Sequence, residues 1–183
     1  MITQNIHVIH IFGASGSGTT TLGKAIAERF GYVHMDTDDY FWMPTDPMFT
    51  ANRPADERIH LMKADIEKYK NVVISGSLCD WGDVLIPYFD LVIRVETDTP
   101  TRLARLKARE YARFGERIRE GGDMHGEHLA FLEWASRYDT APPTMRSRAK
   151  HDLWQAALPC TILTVSGTAP SEETLHALPL SLL

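Results

Sequence analysis

Ile6-His7-Val8-Ile9-His10-Ile11-Phe12-Gly13-Ala14-Ser15-Gly16-Ser17-Gly18-Thr19-Thr20-Thr21-Leu22-Gly23-Lys24-Ala25-Ile26-Ala27-Glu28-Arg29-Phe30 is the stretch that decides how this chain folds. Ile6, Val8, Ile9, Ile11 and Phe12 have the composition of a buried strand, and Leu22, Ala25, Ile26 and Phe30 recur at helical spacing. Between the two lies a turn with glycine at 13, 16 and 18. Those glycines let the backbone take dihedrals closed to other residues, so that its N–H groups converge where the new helix aims the positive end of its dipole. Strand, glycine-rich turn and helix in this order make a cradle for phosphate.

The residues follow the pattern G-x-x-x-x-G-K-[ST], with Gly13 and Gly18 as its glycines and Thr20 in the hydroxyl position that holds Mg²⁺. Gly/Ser-rich octapeptides also occur as ordinary loops, but here the strand before and the helix after supply the context. The expected cradle is Gly13, Ala14, Ser15, Gly16, Ser17, Gly18, Thr19, Thr20 and Thr21. One position departs from the pattern. Thr19 stands where a lysine would reach the terminal phosphates.

The 183 residues suit one domain spanning 1–183, and an apolar content of 44% is ordinary for a globular protein. A formal charge of −5 argues against general binding to nucleic acid or anionic membranes. Cys79 and Cys160 make no disulfide or metal framework. With neither a signal-like N-terminus nor a long apolar span, the expectation is a cytoplasmic monomer or homodimer.

Working outward, Gly31 to Met35 reads as a second strand that runs into Asp36-Thr37-Asp38-Asp39 and the aromatic Tyr40, Phe41 and Trp42. In open parallel sheets ligands sit at the strands' C-terminal ends, so a carboxylate here is placed to accept a hydroxyl proton or to order water around Mg²⁺; the alternative is an acidic cap on the next helix. A proline loop leads to a helix over Ala55 to Tyr69, with Arg53 and Arg58 at its entrance as candidate acceptor contacts or as solvated charges. Asn71 to Ser77 is a third strand ending in the small residues Ser75, Gly76 and Ser77, where a ligand is able to approach the backbone. Phe89 to Glu96 is the fourth; Asp80 and Asp83 before it are open candidates for metal-bound water.

Between Thr101 and Arg119 stand seven basic and two acidic residues. Arg102, Arg105, Arg109 and Arg113 recur three or four apart, on one helix face. A solvated face is the usual account of such a run, yet arginine chosen over lysine favours bidentate phosphate recognition. Gly121-Gly122 breaks the segment, and helices are expected from about Gly126 to Tyr138 and from Met145 to about Leu158. His125, His128 and Asp123 read as surface and capping residues rather than metal ligands. Cys160 to Val165 is a fifth strand, and Ser171 is the expected start signal of a last helix.

In this arrangement the chain resembles, over nearly its whole length, the small P-loop kinases: adenylate, shikimate and gluconate kinases and their relatives. The resemblance is carried by Gly13 to Thr20 and by Arg102-Leu103-Ala104-Arg105-Leu106-Lys107-Ala108-Arg109-Glu110, which is similar to these kinases' run into the lid that closes over ATP. Asp36-Thr37-Asp38 resembles the Asp-x-Asp with which shikimate-kinase-like enzymes handle Mg²⁺ and the acceptor hydroxyl, and Ser166 to Pro170 matches the loop that brackets adenine. It implies an α/β three-layer P-loop NTPase fold, a five-stranded parallel sheet flanked by helices, with an arginine-bearing lid over about 105–125. It also implies phosphoryl transfer from ATP with Mg²⁺ to a hydroxyl or phosphate of a small acceptor. On that resemblance Asp38, Arg105, Arg109 and Arg113 are the expected catalytic residues, and Thr20 and Asp36 the metal ligands. Asp36, Arg53, Arg58 and Gly76 would meet the acceptor, with Gly167 and Ala169 on the nucleotide. Thr19 and the acid-free end of the third strand depart from the pattern, and a nucleotide-binding or sensing module without turnover is the rival reading.

Overall fold

β1 (His7–Gly13) runs through the middle of the sheet, and its five interior residues are all buried, as a strand covered on both faces must be. The computed structural model describes residues 6–179. The strands are β1, β2 (Val33–Asp36), β3 (Asn71–Ser75), β4 (Phe89–Glu96) and β5 (Thr161–Ser166), in the order β2-β3-β1-β4-β5 and all parallel. β1 therefore has β3 on one side and β4 on the other. β1 leads through α1 to β2 on one side and its neighbour β3 leads to β4 on the other, which opens a crevice beyond their C-terminal ends, where ligands bind in such sheets.

Alternation along the strands sorts side chains to two faces. Ile9, Ile11, Val73, Leu91 and Ile93 meet Leu22 and Ile26 of α1 (Thr19–Phe30) and Leu175 of α7 (Ser171–Ala177). Val8, Phe12, Val72, Ile74 and Val92 meet Met62 and Ile66 of α3 (Ala55–Tyr69) and the Trp154 ring of α6 (Arg148–Ala156). These are the three layers expected from the sequence. The short α2 (Thr37–Phe41), α4 (Thr99–Phe114) and α5 (His125–Ser136) complete the α-helices of the described residues.

Several boundaries differ from the sequence reading. The second strand begins at Val33 because Gly31 caps α1 in a left-handed conformation, its N–H donating to the Ala27 carbonyl. A single helix expected to reach Tyr138 is α5 followed by a 3₁₀ turn, Arg137–Asp139. α6 starts at Arg148 rather than Met145, because the Ser147 hydroxyl accepts from the Lys150 N–H (3.1 Å) and caps it there. Ser171 caps nothing. The cap position of α7 is Pro170, and Glu172 and Glu173 in its first turn suit the helix dipole.

Candidate active site

Residues 14–18 turn between β1 and α1. Gly13 packs so tightly against β4 that a Cβ there would lie 2.5 Å from the Val95 carbonyl oxygen. At Gly18 the chain enters α1 with φ 109°, a conformation a side chain rarely adopts. Ser17 N–H donates to the Ala14 carbonyl (3.0 Å), while among the described residues the N–H groups of Ser15, Gly16 and Gly18 have no acceptor. Together with the unpaired N–H groups of the first turn of α1 they form the expected anion cradle.

Arg102 corrects the sequence reading of four functional arginines on one face. It is fully buried beneath the loop and donates to the carbonyls of Thr97 (3.2 Å), Ser15 (3.3 Å) and Ala135 (3.2 Å), and to Thr99 Oγ1 (2.6 Å). It holds the loop to α4 and α5 and offers nothing to a ligand. Arg105, one turn on, donates to the Ser17 and Gly167 carbonyls (3.3 and 2.9 Å), which brings the phosphate loop and the β5–α7 loop together.

A cleft of about 630 Å³ opens over the loop. Gly16, Gly18, Thr19, Thr20 and Thr21 line it from below, Arg105, Arg109 and Arg113 from α4, and Gly167 and Ala169 from the far side. Gly13, Ala14 and Ser17 of the expected cradle shape the loop from beneath and do not line this cleft; Ser15 faces its neighbour. Thr20 Oγ1 donates to Asp36 Oδ2 (2.9 Å). Two hard oxygen donors side by side at the edge of a phosphate cradle fit Mg²⁺. The same Asp36 caps α2, accepting from the Asp38 N–H, which is the capping reading of the acidic stretch. Lys24, one helical turn beyond Thr20, also lines the cleft and was not singled out from the sequence.

A second cleft, of about 780 Å³, lies alongside between α2, α3, α4 and α5. Asp38, Arg109 and Arg113 line both clefts. Asp38 is open to solvent through them, yet crowding by protein pushes its pKa up, with the Asp36 charge adding to the rise and Arg146, Arg109 and Arg113 opposing it. Phe41, Trp42, Phe49, Trp81, Phe131 and Trp134 supply aromatic walls. Arg58 lies over the Phe41 ring at 3.8 Å, 8% exposed, with its Nε donating to the Arg53 carbonyl (2.6 Å) and no ion pair among the described residues. Opposite it is Arg146, 5.5 Å above the Trp134 ring and also without an ion pair among the described residues.

Other expected contacts sit elsewhere. Arg53 is not on the cleft: it donates to the Tyr40 carbonyl (2.9 Å) and to Glu57 (3.0 Å), fastening the loop before α3. Gly76 lies under Thr37, and the next residue, Ser77, lines the cleft in its place. Asp80 pairs with Lys150 (2.5 Å) and Asp83 accepts from the Trp154 indole (2.8 Å), so both carboxylates have structural partners. Ser77 was read only as one of the small residues that let a ligand near the backbone, and Arg146 escaped the sequence reading because a cleft wall assembled from remote segments leaves no local pattern.

The AAA domain family model, AAA_18, matches residues 9–125, which include the phosphate loop, Asp36, Asp38 and the arginines of α4. Over 165 residues, 90% of this chain and 91% of the relative, the sequence is 43% identical to the uncharacterized protein YqaC of Bacillus subtilis. It is 30% identical over 113 residues to the cytidylate kinase of Archaeoglobus fulgidus, covering 56% of this chain and 61% of that one. A gluconokinase structure from Sinorhizobium meliloti superposes with a TM-score of 0.48 at 17% identity, over 93% of this chain and 88% of that one. With its phosphate loop, its parallel sheet and the family model matched over residues 9–125, the chain belongs to the AAA domain family.

Proposed function

We propose that this protein is a phosphotransferase that moves the terminal phosphate of ATP to an anionic small molecule held in the aromatic cleft. The observation that carries the reading is the shared wall: Asp38, Arg109 and Arg113 line both clefts, so whatever passes from one to the other passes them. Arg58 and Arg146 on the second cleft make no ion pair among the described residues, which suits an acceptor bearing a carboxylate or phosphate. ATP would lie with its phosphates on the Gly13–Thr21 turn and its base near Gly167 and Ala169. Thr20 and Asp36 would hold Mg²⁺, which when bound neutralises charge on the phosphate oxygens. The charge of −5 and the absence of a helix able to cross a membrane among the described residues accord with a small-molecule partner rather than nucleic acid or lipid.

In the transfer the acceptor hydroxyl oxygen bonds to the terminal phosphorus as the bond from that phosphorus to the bridging oxygen breaks, and ADP departs. The hydroxyl proton goes to the Asp38 carboxylate, whose raised pKa makes it a better base than a free carboxylate. Arg109 and Arg113 stabilise negative charge on the moving group, and Arg105 holds the two loops at the spacing the nucleotide needs. An ADP-release assay with a panel of phosphorylated and carboxylated hydroxyl compounds, with product mass, tests this. The expected result is one acceptor class that gains the mass of a phosphoryl group; Mg·ATP binding with no product from any acceptor overturns it. Thr19 favours the rival reading in that case, a nucleotide-sensing protein without turnover.

A further inference from the structure

Behind the aromatic cleft lies a line of three buried polar side chains that the transfer does not use. Ser77, just past β3, is 7% exposed and lines the cleft. Its Oγ is 3.3 Å from His151 Nε2, and His151 Nδ1 is 2.9 Å from the Tyr138 hydroxyl. His151, on α6, is closed to solvent, with the Phe12 ring edge-on at 5.1 Å. A polar chain sunk in an apolar wall is tolerated only when its members satisfy one another.

What each group is able to be fixes the direction of the protons. Burial pushes the Tyr138 pKa up, so its hydroxyl keeps its proton, and among the described residues that hydroxyl has no partner but His151. Burial, with the Arg146 and Arg94 charges, takes the His151 pKa down to about 3, so the ring is neutral. A neutral imidazole donates from one nitrogen and accepts at the other. With Tyr138 donating to Nδ1, the ring proton sits on Nε2 and is donated to Ser77 Oγ, which turns the serine's own proton away from His151. The Cys79 sulfur, a weak acceptor that Ser77 also hydrogen-bonds, lines the cleft beside it.

We propose that Tyr138 and His151 are positioning residues that lock Ser77 as a hydrogen-bond donor toward the acceptor molecule, where it reads an unprotonated oxygen beside Arg58 and Arg146. This rests on the phosphotransferase reading and adds a specificity element to it. A group with donors only at that point, such as an ammonium, is rejected, because two donors would face each other there.

Nitrogen-15 NMR of histidine in the full chain decides the geometry without any ligand. The expected spectrum has His151 protonated on Nε2 alone, and Tyr138→Phe brings in the second tautomer. In the transfer assay Ser77→Ala and Tyr138→Phe each raise the acceptor KM about three- to tenfold, the worth of one hydrogen bond, with Mg·ATP affinity and kcat little changed. Together they cost little more than either alone, since both act through one hydroxyl. A ring protonated on Nδ1 overturns the proposal whatever the turnover, and so does an acceptor KM unmoved by Ser77→Ala. No product from any acceptor, with the Nε2 proton in place, overturns instead the phosphotransferase reading and with it the part of this proposal that concerns substrate.

Discussion

Asp38 is a carboxylate kept where a carboxylate is costly, and that cost links activity to stability. Protein crowding and Asp36 raise its pKa, so the folded state disfavours the charged form. Above its folded pKa the charge weakens the fold; below the unfolded pKa both states carry the neutral acid and the penalty is gone. Asp38→Asn should therefore raise the melting temperature at pH 7, with the gain fading as pH falls through the carboxylate range, while turnover drops by roughly two orders of magnitude or more and Mg·ATP affinity stays within a few-fold. Wild-type kcat should fall on the acid side at a higher pH than an ordinary Asp would give. Thr19 supports a second expectation. It lines the phosphate cleft rather than packing in the core, so a lysine stem has room. Thr19→Lys would add a charge-assisted contact of about 1.5–3 kcal/mol and tighten Mg·ATP about tenfold or more by calorimetry. Asp38, Arg109 and Arg113 were legible in the sequence because a strand end and a helical spacing place them. Arg102 was misread for the same reason: spacing puts four arginines on one face but does not tell which of them the phosphate loop covers.

Helix α4 belongs to two parts of the molecule. Its first half is fastened to the loops through Arg102 and Arg105, whereas Arg109 and Arg113 in its second half make no ion pair among the described residues. Beyond it, Arg117 reaches both Asp123 (2.7 Å) and Asp46 (2.9 Å), joining the segment after α4 to the loop before α3. Pairs this exposed exchange with water and are screened by salt. Limited proteolysis should cut within residues 115–124, faster for Arg117→Ala and slower for wild type with Mg·ATP; equal resistance with and without nucleotide would mean a static surface instead of a lid. At this scale α3 was read to its last residue, since its apolar spacing is regular and Pro54 precedes it. The end of α5 was not, because the chain stays apolar and aromatic through Trp134 and Tyr138 while the backbone tightens to a 3₁₀ turn.

For the whole molecule the sequence predicted five parallel strands and their helices but not their order, since nothing local places β3 between β2 and β1; that order follows from which faces each crossover helix must cover. Two buried histidines set the response to acid. His10 and His151 are both held neutral, with pKa values down to about 3, chiefly by burial. Above about pH 6.5 neither state binds the extra proton, and below it the unfolded chain takes up protons that the folded chain refuses, so stability should fall by up to about 1.4 kcal/mol per pH unit for each, down to about pH 3. His10 stacks on Phe89 at 4.9 Å and its Nε2 has no partner among the described residues, so His10→Phe should flatten this decline by one proton's worth in denaturant melts at pH 5 and pH 7. The fastening of α4 also sets a mechanical scale. Arg113 lies eight residues beyond Arg105, about 12 Å along the axis. A tilt of about ten degrees there swings Arg113 through about 2 Å. A misfit that is trivial near Arg105 is thus multiplied along the length of the same helix by the time it reaches Arg113.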